Sequence, residues 1–131
     1  MNREHIPRPL QRLVRERADD LCEYCRLPQA RQVATFHIDH VIPRVEEGPT
    51  VLENLALACG SCSLRKGPRS RAVDPETGET VPLFHPRRDV WAEHFQHTED
   101  GWAVGRTPTG RATIQLLKMN LPVFVALRRN W

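Results

Sequence analysis

The chain has 131 residues, a length typical of one domain, and its 40% content of hydrophobic residues is enough for a core of modest size. No apolar run approaches the roughly 20 residues that a membrane-spanning helix needs, and no apolar signal segment follows Met1. We therefore expect a cytoplasmic protein without a membrane partner. The formal net charge of +3 is too small to indicate a nucleic-acid partner by itself, so the distribution of the charges is more informative.

The first half of the chain is predicted to contain one helix, one strand or hairpin, and a short second helix. Leucine, valine and alanine recur at helical spacing in residues 7–20, where a proline near the first turn is tolerated. Residues 33–42 are rich in β-branched and aromatic side chains and favour a strand or hairpin. A polar loop at residues 43–50 precedes an apolar segment at 52–58, and a short helix is expected to open at residues 63–66.

The second half has a less distinctive pattern and is expected to add short strands and helices. A turn-rich segment at residues 74–79 lies between short extended stretches, and residues 112–119 fit either a strand or the start of a helix. The remaining predicted elements are strands at 81–84 and 102–105 and helices at 87–95 and 122–131. Trp91, Phe95 and Trp102 are predicted to be core side chains rather than platforms on which nucleic-acid bases stack.

Two identical cysteine pairs are the most specific feature of the sequence. Cys22 and Cys25 form the first C-x-x-C pair, Cys59 and Cys62 form the second, and 33 residues separate the two pairs. Such pairs can each clamp one side of a tetrahedral zinc ion. The alternatives are a disulfide framework, which is typical of small secreted domains, or four free thiols. The repeated spacing and the expected intracellular setting favour a structural zinc site.

An adjacent aspartate and histidine lie between the two pairs, in the predicted strand. Hydrolysis of a phosphodiester requires a base that activates water, for which the imidazole of His40 is suited because it titrates near neutral pH. The carboxylate of Asp39 is a ligand that Mg²⁺ prefers. On a regular strand the two side chains would point to opposite faces, so a twist or bend would be needed to bring both to one phosphate. His37 would share the face of Asp39.

The order of these motifs resembles that of the HNH endonuclease family. The resemblance rests on the two C-x-x-C pairs, the segment Ile38-Asp39-His40-Val41-Ile42-Pro43 between them, Glu53-Asn54-Leu55, and the ending Leu64-Arg65-Lys66-Gly67. It covers about residues 20–68. It implies an α+β fold with a ββα-metal core braced by a four-cysteine zinc site. Strands and helices of a C-terminal extension, residues 69–131, would complete a single nuclease domain.

The resemblance also assigns roles to individual residues. His40 would be the general base, Asp39 would bind a catalytic divalent ion such as Mg²⁺, and Asn54 would mainly hold the long loop of the ββα element. Ser63 stands where the family has a histidine or asparagine that ligates this ion. Because a hydroxyl is a weaker and shorter ligand, either Ser63 or His37 is a candidate to complete the site.

Basic residues near the second cysteine pair indicate a polyanionic substrate. Four of them follow the pair with no acid among them, and Arg44 follows the Asp-His segment. Lys and Arg displace the counterions that condense on DNA, so these are candidate DNA contacts: Arg44, Arg65, Lys66, Arg69 and Arg71. A solvated basic surface is the alternative interpretation of any such cluster.

The resemblance implies metal-assisted hydrolysis of a DNA phosphodiester bond. Two other functions remain open on the sequence. One is a non-catalytic zinc-ribbon module that binds nucleic acid or protein, which the departure at Ser63 favours. The other is a nuclease subunit of a larger restriction, recombination or packaging system, in which a protein partner or a second copy completes the assembly. The intact Asp39-His40 pair favours a catalyst.

Overall fold

A computed structural model describes residues 6–130 of the chain. It shows a mixed α+β fold, as the sequence predicts, with three separate two-stranded antiparallel sheets and short helices between them. The α-helices are α1 (Arg8–Ala18), α2 (Gly60–Lys66), α3 (Trp91–His94), α4 (Pro108–Leu117) and α5 (Pro122–Arg128). The strands are β1 (His37–His40), β2 (Leu55–Ala58), β3 (Arg71–Val73), β4 (Thr80–Pro82), β5 (Phe95–His97) and β6 (Ala103–Gly105).

Helix α1 forms where the sequence predicts it and delivers the chain to the first cysteine pair. It ends at Asp19, which adopts the left-handed conformation and whose N–H caps the last turn. The guanidinium of Arg17 donates to the backbone carbonyl oxygens of Leu52 and Leu55, at 2.9 and 2.6 Å. These bonds fix the helix against the start of β2. Among residues 6–130, no helix combines the length and the apolar character that crossing a membrane requires.

A β-hairpin followed by a helix forms the centre of the cysteine-rich half. Strands β1 and β2 pair antiparallel, with His37 opposite Ala58 and His40 opposite Leu55. The prediction of a strand over residues 33–42 was too long, because only four of these residues enter the ladder. Helix α2 follows β2 directly and packs on both strands. It begins three residues earlier than the sequence predicts, because the side chain of Cys59 caps it.

In the second half of the chain, the structure confirms some of the predicted elements and corrects others. Residues 74–79 are the turn of the β3–β4 hairpin, as predicted. Residues 112–119 belong largely to helix α4, which Thr107 caps by accepting a hydrogen bond from the N–H of Gly110. The helix expected over residues 87–95 is wrong in extent. It shortens to α3, because Phe95 adopts an extended conformation and pairs with Gly105.

One cluster of buried side chains joins the two halves of the chain. It contains Tyr24 and Leu57 from the cysteine-rich half and Phe84, Phe95 and Leu117 from the second half. The indole of Trp91 packs partly buried against this cluster, and its N–H donates to the backbone oxygen of Tyr24 at 2.9 Å. The second half therefore packs directly against the first cysteine pair.

The expectation that three aromatic side chains lie in the core holds only in part. Phe95 is buried and Trp91 packs against the core. Trp102 is 48% exposed, so its assignment to the core was wrong. It precedes strand β6 at the surface, where the apolar pattern of a short strand could not show which side chains face solvent.

Candidate active site and metal centre

The four cysteines converge on one point in the protein. Cys22 and Cys25 lie in the turn after α1, while Cys59 and Cys62 lie at the start of α2. All four are buried, and their sulfur atoms lie within 4.8 Å of one another. Within residues 6–130 they are the one group of three or more cysteine, histidine or carboxylate ligands close enough to share a metal ion.

The separation of the sulfur atoms fits a tetrahedral zinc ion. The Sγ atoms of Cys25 and Cys59 are 3.8 Å apart. A tetrahedron with Zn–S bonds of about 2.3 Å has edges of about 3.8 Å, whereas a disulfide bond would require about 2.05 Å. The Sγ of Cys59 also accepts a hydrogen bond from the N–H of Cys62 at 3.4 Å. Four thiolate ligands leave no open position, so the zinc that fits here is structural.

The pKa shifts of three of the cysteines also indicate a bound cation. Hydrogen bonding to Cys22 lowers the pKa of Cys59 but raises the pKa values of Cys25 and Cys62. Without a cation, neighbouring thiolates therefore oppose one another's ionisation. A divalent ion removes this opposition, because its charge stabilises every thiolate that binds it.

Asp39 occupies a half-buried position between the first cysteine pair and helix α2. Its Oδ2 accepts a hydrogen bond from the hydroxyl of Tyr24 at 2.9 Å and lies 3.2 Å from Nζ of Lys66. Burial raises the pKa of Asp39 above its ordinary value, and the charge of Lys66 and the bond from Tyr24 oppose that shift. The pKa of Tyr24 is itself raised, by burial and by Asp39, so its hydroxyl is a donor here.

His40 ends strand β1, and its imidazole is held by the loop that follows. Its Nε2 lies 2.8 Å from the hydroxyl oxygen of Thr50. The backbone oxygen of His40 accepts a hydrogen bond from Nζ of Lys66 at 3.1 Å. Lys66 thus binds both members of the Asp39-His40 pair, one through its side chain and the other through its backbone. The two side chains have partners in different segments, as expected of neighbours on a strand.

Asn54 closes the loop between the two strands of the hairpin. Its Oδ1 accepts from the N–H of Ile42 at 2.8 Å, and its Nδ2 donates to the oxygens of Ile42 and Pro49, at 3.0 and 2.9 Å. Asn54 is 4% exposed. All three bonds go to backbone groups of the loop, which supports the loop-holding role that the sequence suggests.

The remaining predicted site residues lie around this centre. Ser63 is half-buried in the first turns of α2, and His37 is exposed at the start of β1, on the face that Asp39 also occupies by strand alternation. Arg44 and Arg69 are exposed, and Arg71 is exposed at the start of β3. Arg65 is half-buried, with its Nε donating to Ser61 at 3.2 Å.

Lys66 differs from the sequence-based expectation that it contacts phosphate. Only 1% of its surface is exposed, and its ammonium is bound to Asp39 and to the His40 backbone. A buried ammonium needs a paired carboxylate to offset its desolvation, and Asp39 supplies it. Lys66 is therefore part of the framework of the site.

Two residues that hold the site were missed by the sequence interpretation. Tyr24 stands between the cysteines of the first pair, and Thr50 ends the polar loop. The position of Tyr24 between Cys22 and Cys25 was a usable signal, because a residue between two zinc ligands must lie close to the segment that carries the second pair. No local pattern pointed to Thr50.

Comparison with known proteins gives one match. The family model described as HNH endonuclease matches residues 22–69, a segment that begins at the first cysteine and ends just after α2. No curated protein and no solved structure matches the chain.

Proposed function

We propose that this protein is a metal-dependent endonuclease that hydrolyses phosphodiester bonds in DNA, because residues 22–69 match the family model of the HNH endonucleases. One observation carries the proposal. The Asp39-His40 pair lies at the end of β1, and Lys66 and Tyr24 hold its carboxylate while Thr50 holds its imidazole. Titratable groups that are fixed by hydrogen bonds and ion pairs, rather than left on a mobile surface, are typical of catalytic sites.

His40 is proposed to be the general base. Its imidazole can accept a proton from water near neutral pH, and the hydrogen bond to Thr50 restricts how the ring rotates. The proposed role requires Nε2 to donate to the Thr50 hydroxyl, because this tautomer makes Nδ1 the basic atom that accepts the proton from water. Thr50 is therefore a positioning group for His40.

Asp39 is proposed to hold the divalent ion. Its Oδ1 takes part in neither the Tyr24 nor the Lys66 bond, and carboxylate oxygen is the ligand chemistry of Mg²⁺. Ser63 or His37 would add a further ligand, and water molecules would fill the other positions, which Mg²⁺ retains readily. The ion would stabilise negative charge on the phosphate and on the leaving oxygen.

Lys66 and Asn54 are proposed to keep the pair in place. The ammonium of Lys66 joins the carboxylate of Asp39 to the backbone of His40, so α2 and β1 cannot separate without breaking both bonds. Asn54 fixes the loop that carries Thr50. A zinc ion held by the four cysteines would anchor α2 to the turn that carries Cys22 and Cys25, and would thereby support the same arrangement.

The whole chain is proposed to act as a single nuclease domain in the cytoplasm. The shared core of the two halves supports one folded unit. Arg44, Arg65, Arg69 and Arg71 are proposed to contact the DNA backbone, since the last three lie on or between α2 and β3, α2 packs on the strand that carries the Asp39-His40 pair, and Arg44 follows that strand.

The test is plasmid cleavage by the purified zinc-loaded protein with Mg²⁺, Mn²⁺, Ni²⁺ or EDTA. Wild type is expected to nick or linearise the plasmid only with a divalent ion, and His40→Ala is expected to lose this activity. His37→Ala changes the other histidine on the same strand and tests whether His37 is a metal ligand. Loss of activity that added metal restores would make His37 a ligand, whereas unchanged activity would leave Ser63 as the candidate.

A second candidate function has one observation in its favour. Lys66 already neutralises Asp39, and Ser63 is a weak ligand, which together suit a zinc module that binds nucleic acid without cleaving it. Absence of cleavage with every metal, from a folded zinc-loaded protein that still binds DNA, would favour this module or a nuclease that requires a protein partner.

A further inference from the structure

Two neighbouring cavities lie beyond the Asp39-His40 pair, along helix α4. The first has a volume of about 750 Å³ and lies between α2, β3 and α4. Its wall carries four cationic side chains and no acidic one: Arg65, Arg69, Arg71 and Lys118. The apolar side chains of Leu64 and Leu116 complete it. A concave surface with charge of one sign attracts a polyanion.

The second cavity continues from the first and has a different chemistry. Its volume is about 540 Å³, and it shares Gln115 and Lys118 with the first cavity. Its wall includes the indole of Trp102, which is 48% exposed, and Val104, which is 40% exposed. A large aromatic side chain beside a cationic groove is the combination by which proteins bind unpaired nucleic-acid strands.

The first cavity begins at helix α2. Leu64 and Arg65, which line it, directly follow Ser63 in α2, and α2 packs against α4. A strand that leaves the Asp39-His40 pair across α2 would therefore enter the cationic cavity first and reach Trp102 next. This path takes the substrate onto residues outside the segment that matches the HNH family.

We propose that the two cavities bind an unpaired nucleic-acid segment that flanks the scissile phosphate. Its phosphates lie against the four cationic side chains, and one of its bases stacks on Trp102. The inference rests on the proposed nuclease function and specifies the substrate class: DNA that carries a single-stranded overhang or flap next to the cleaved bond.

Stacking on Trp102 requires that the bound strand be unpaired. An indole can stack only on a base face that is accessible, and in a duplex both faces of each internal base are covered by neighbouring base pairs. Stacking of one base on an aromatic side chain corresponds to about tenfold in Kd. Each phosphate contact that is removed from a single strand lowers the slope of log Kd against log salt by about 0.7.

Binding is measured by fluorescence anisotropy with zinc-loaded His40→Ala protein, without added divalent ion, so that no cleavage occurs. The probes are a blunt DNA duplex and the same duplex with a single-stranded overhang. The overhang is expected to bind about tenfold more tightly. Equal Kd values for the two probes would overturn the proposal, and this comparison requires no change in the cavities.

Further substitutions in the His40→Ala protein test which residues cause the preference for the overhang. Trp102→Leu is expected to lose the overhang preference and keep the Kd of the blunt duplex, whereas Trp102→Phe keeps the preference because a phenyl ring still stacks. Lys118→Gln lowers the salt slope, while Arg12→Gln, at an exposed position on α1, changes neither quantity. A preference that survives in Trp102→Leu would refute the role of the indole.

The outcomes separate this inference from the proposed function. An overhang preference without metal-dependent cleavage of either the plasmid or the overhang duplex by the wild type would retain the binding path and favour the binding module or a partner-dependent nuclease. Metal-dependent cleavage without an overhang preference would support the nuclease and reject the binding path.

Discussion

Replacing Asn54 by alanine is expected to lower the free energy of unfolding by about 3 kcal/mol, since three backbone hydrogen bonds are lost and each contributes about 1 kcal/mol. The bonds join the Asn54 amide to Ile42, twice, and to Pro49, and the side chain is 4% exposed. Water cannot easily replace the lost partner at such a site. The N–H of Ile42 is left without its acceptor.

Asn54→Asp gives a sharper version of the same change. The carboxylate can still accept from the N–H of Ile42, but it cannot donate to the oxygens of Ile42 and Pro49. It would instead place a negative charge against two carbonyl oxygens. We therefore expect Asn54→Asp to be at least as destabilising as Asn54→Ala, although the two residues have nearly the same shape.

Gln29 provides the matched control. Its amide also makes three backbone hydrogen bonds, accepting from the N–H of Phe36 and donating to the oxygens of Gln32 and Ala34. It is less buried than Asn54, so water can take over part of this bonding. Gln29→Ala is expected to lower the free energy of unfolding by only about 1 kcal/mol.

Urea unfolding at a fixed free zinc concentration measures these differences, because bound zinc adds to the apparent stability of every variant. The cleavage assay is run on the same samples at a temperature where each remains folded. If Asn54→Ala lost less than 1 kcal/mol but all cleavage activity, the reasoning would be refuted and Asn54 would have a direct part in the chemistry.

Three further predictions address the loop, the zinc and the second half. A Cβ on Gly48 would lie 1.7 Å from a backbone oxygen, whereas a Cβ on Gly60 would meet nothing within 4 Å. Gly48→Ala should therefore be strongly destabilised and Gly60→Ala should not, and their melting temperatures measure the difference. Cys59→Ser should abolish stoichiometric zinc in metal analysis and the cooperative unfolding transition, since structural zinc contributes on the order of 10 kcal/mol to such folds; a cooperative, zinc-free protein would contradict this. The ion pair with Arg111 lowers the pKa of Asp74 to about 2, below its ordinary value of 3.8. The stability that this pair adds is therefore present above pH 3.8 and is lost as the pH falls towards 2, so the difference in unfolding free energy between wild type and Asp74→Asn should shrink over that range.

The sequence alone determined the metal centre and the order of the central elements. The ligands of the zinc come as two local C-x-x-C pairs whose spacing and chemistry fit one ion, so no tertiary information is needed to predict them. The Asp39-His40 pair and the loop-holding role of Asn54 were also accessible, because they lie in a contiguous motif that resembles a known family.

Only the tertiary structure decided which groups surround that motif. Lys66 is an ordinary basic residue in sequence, and its burial against Asp39 depends on how α2 packs on β1. The bond between Thr50 and His40 depends on the path of a loop that has no regular pattern. Trp102 is apolar by type but exposed, because the exposure of a side chain beside a three-residue strand is set by what packs against that segment and not by its neighbours in sequence.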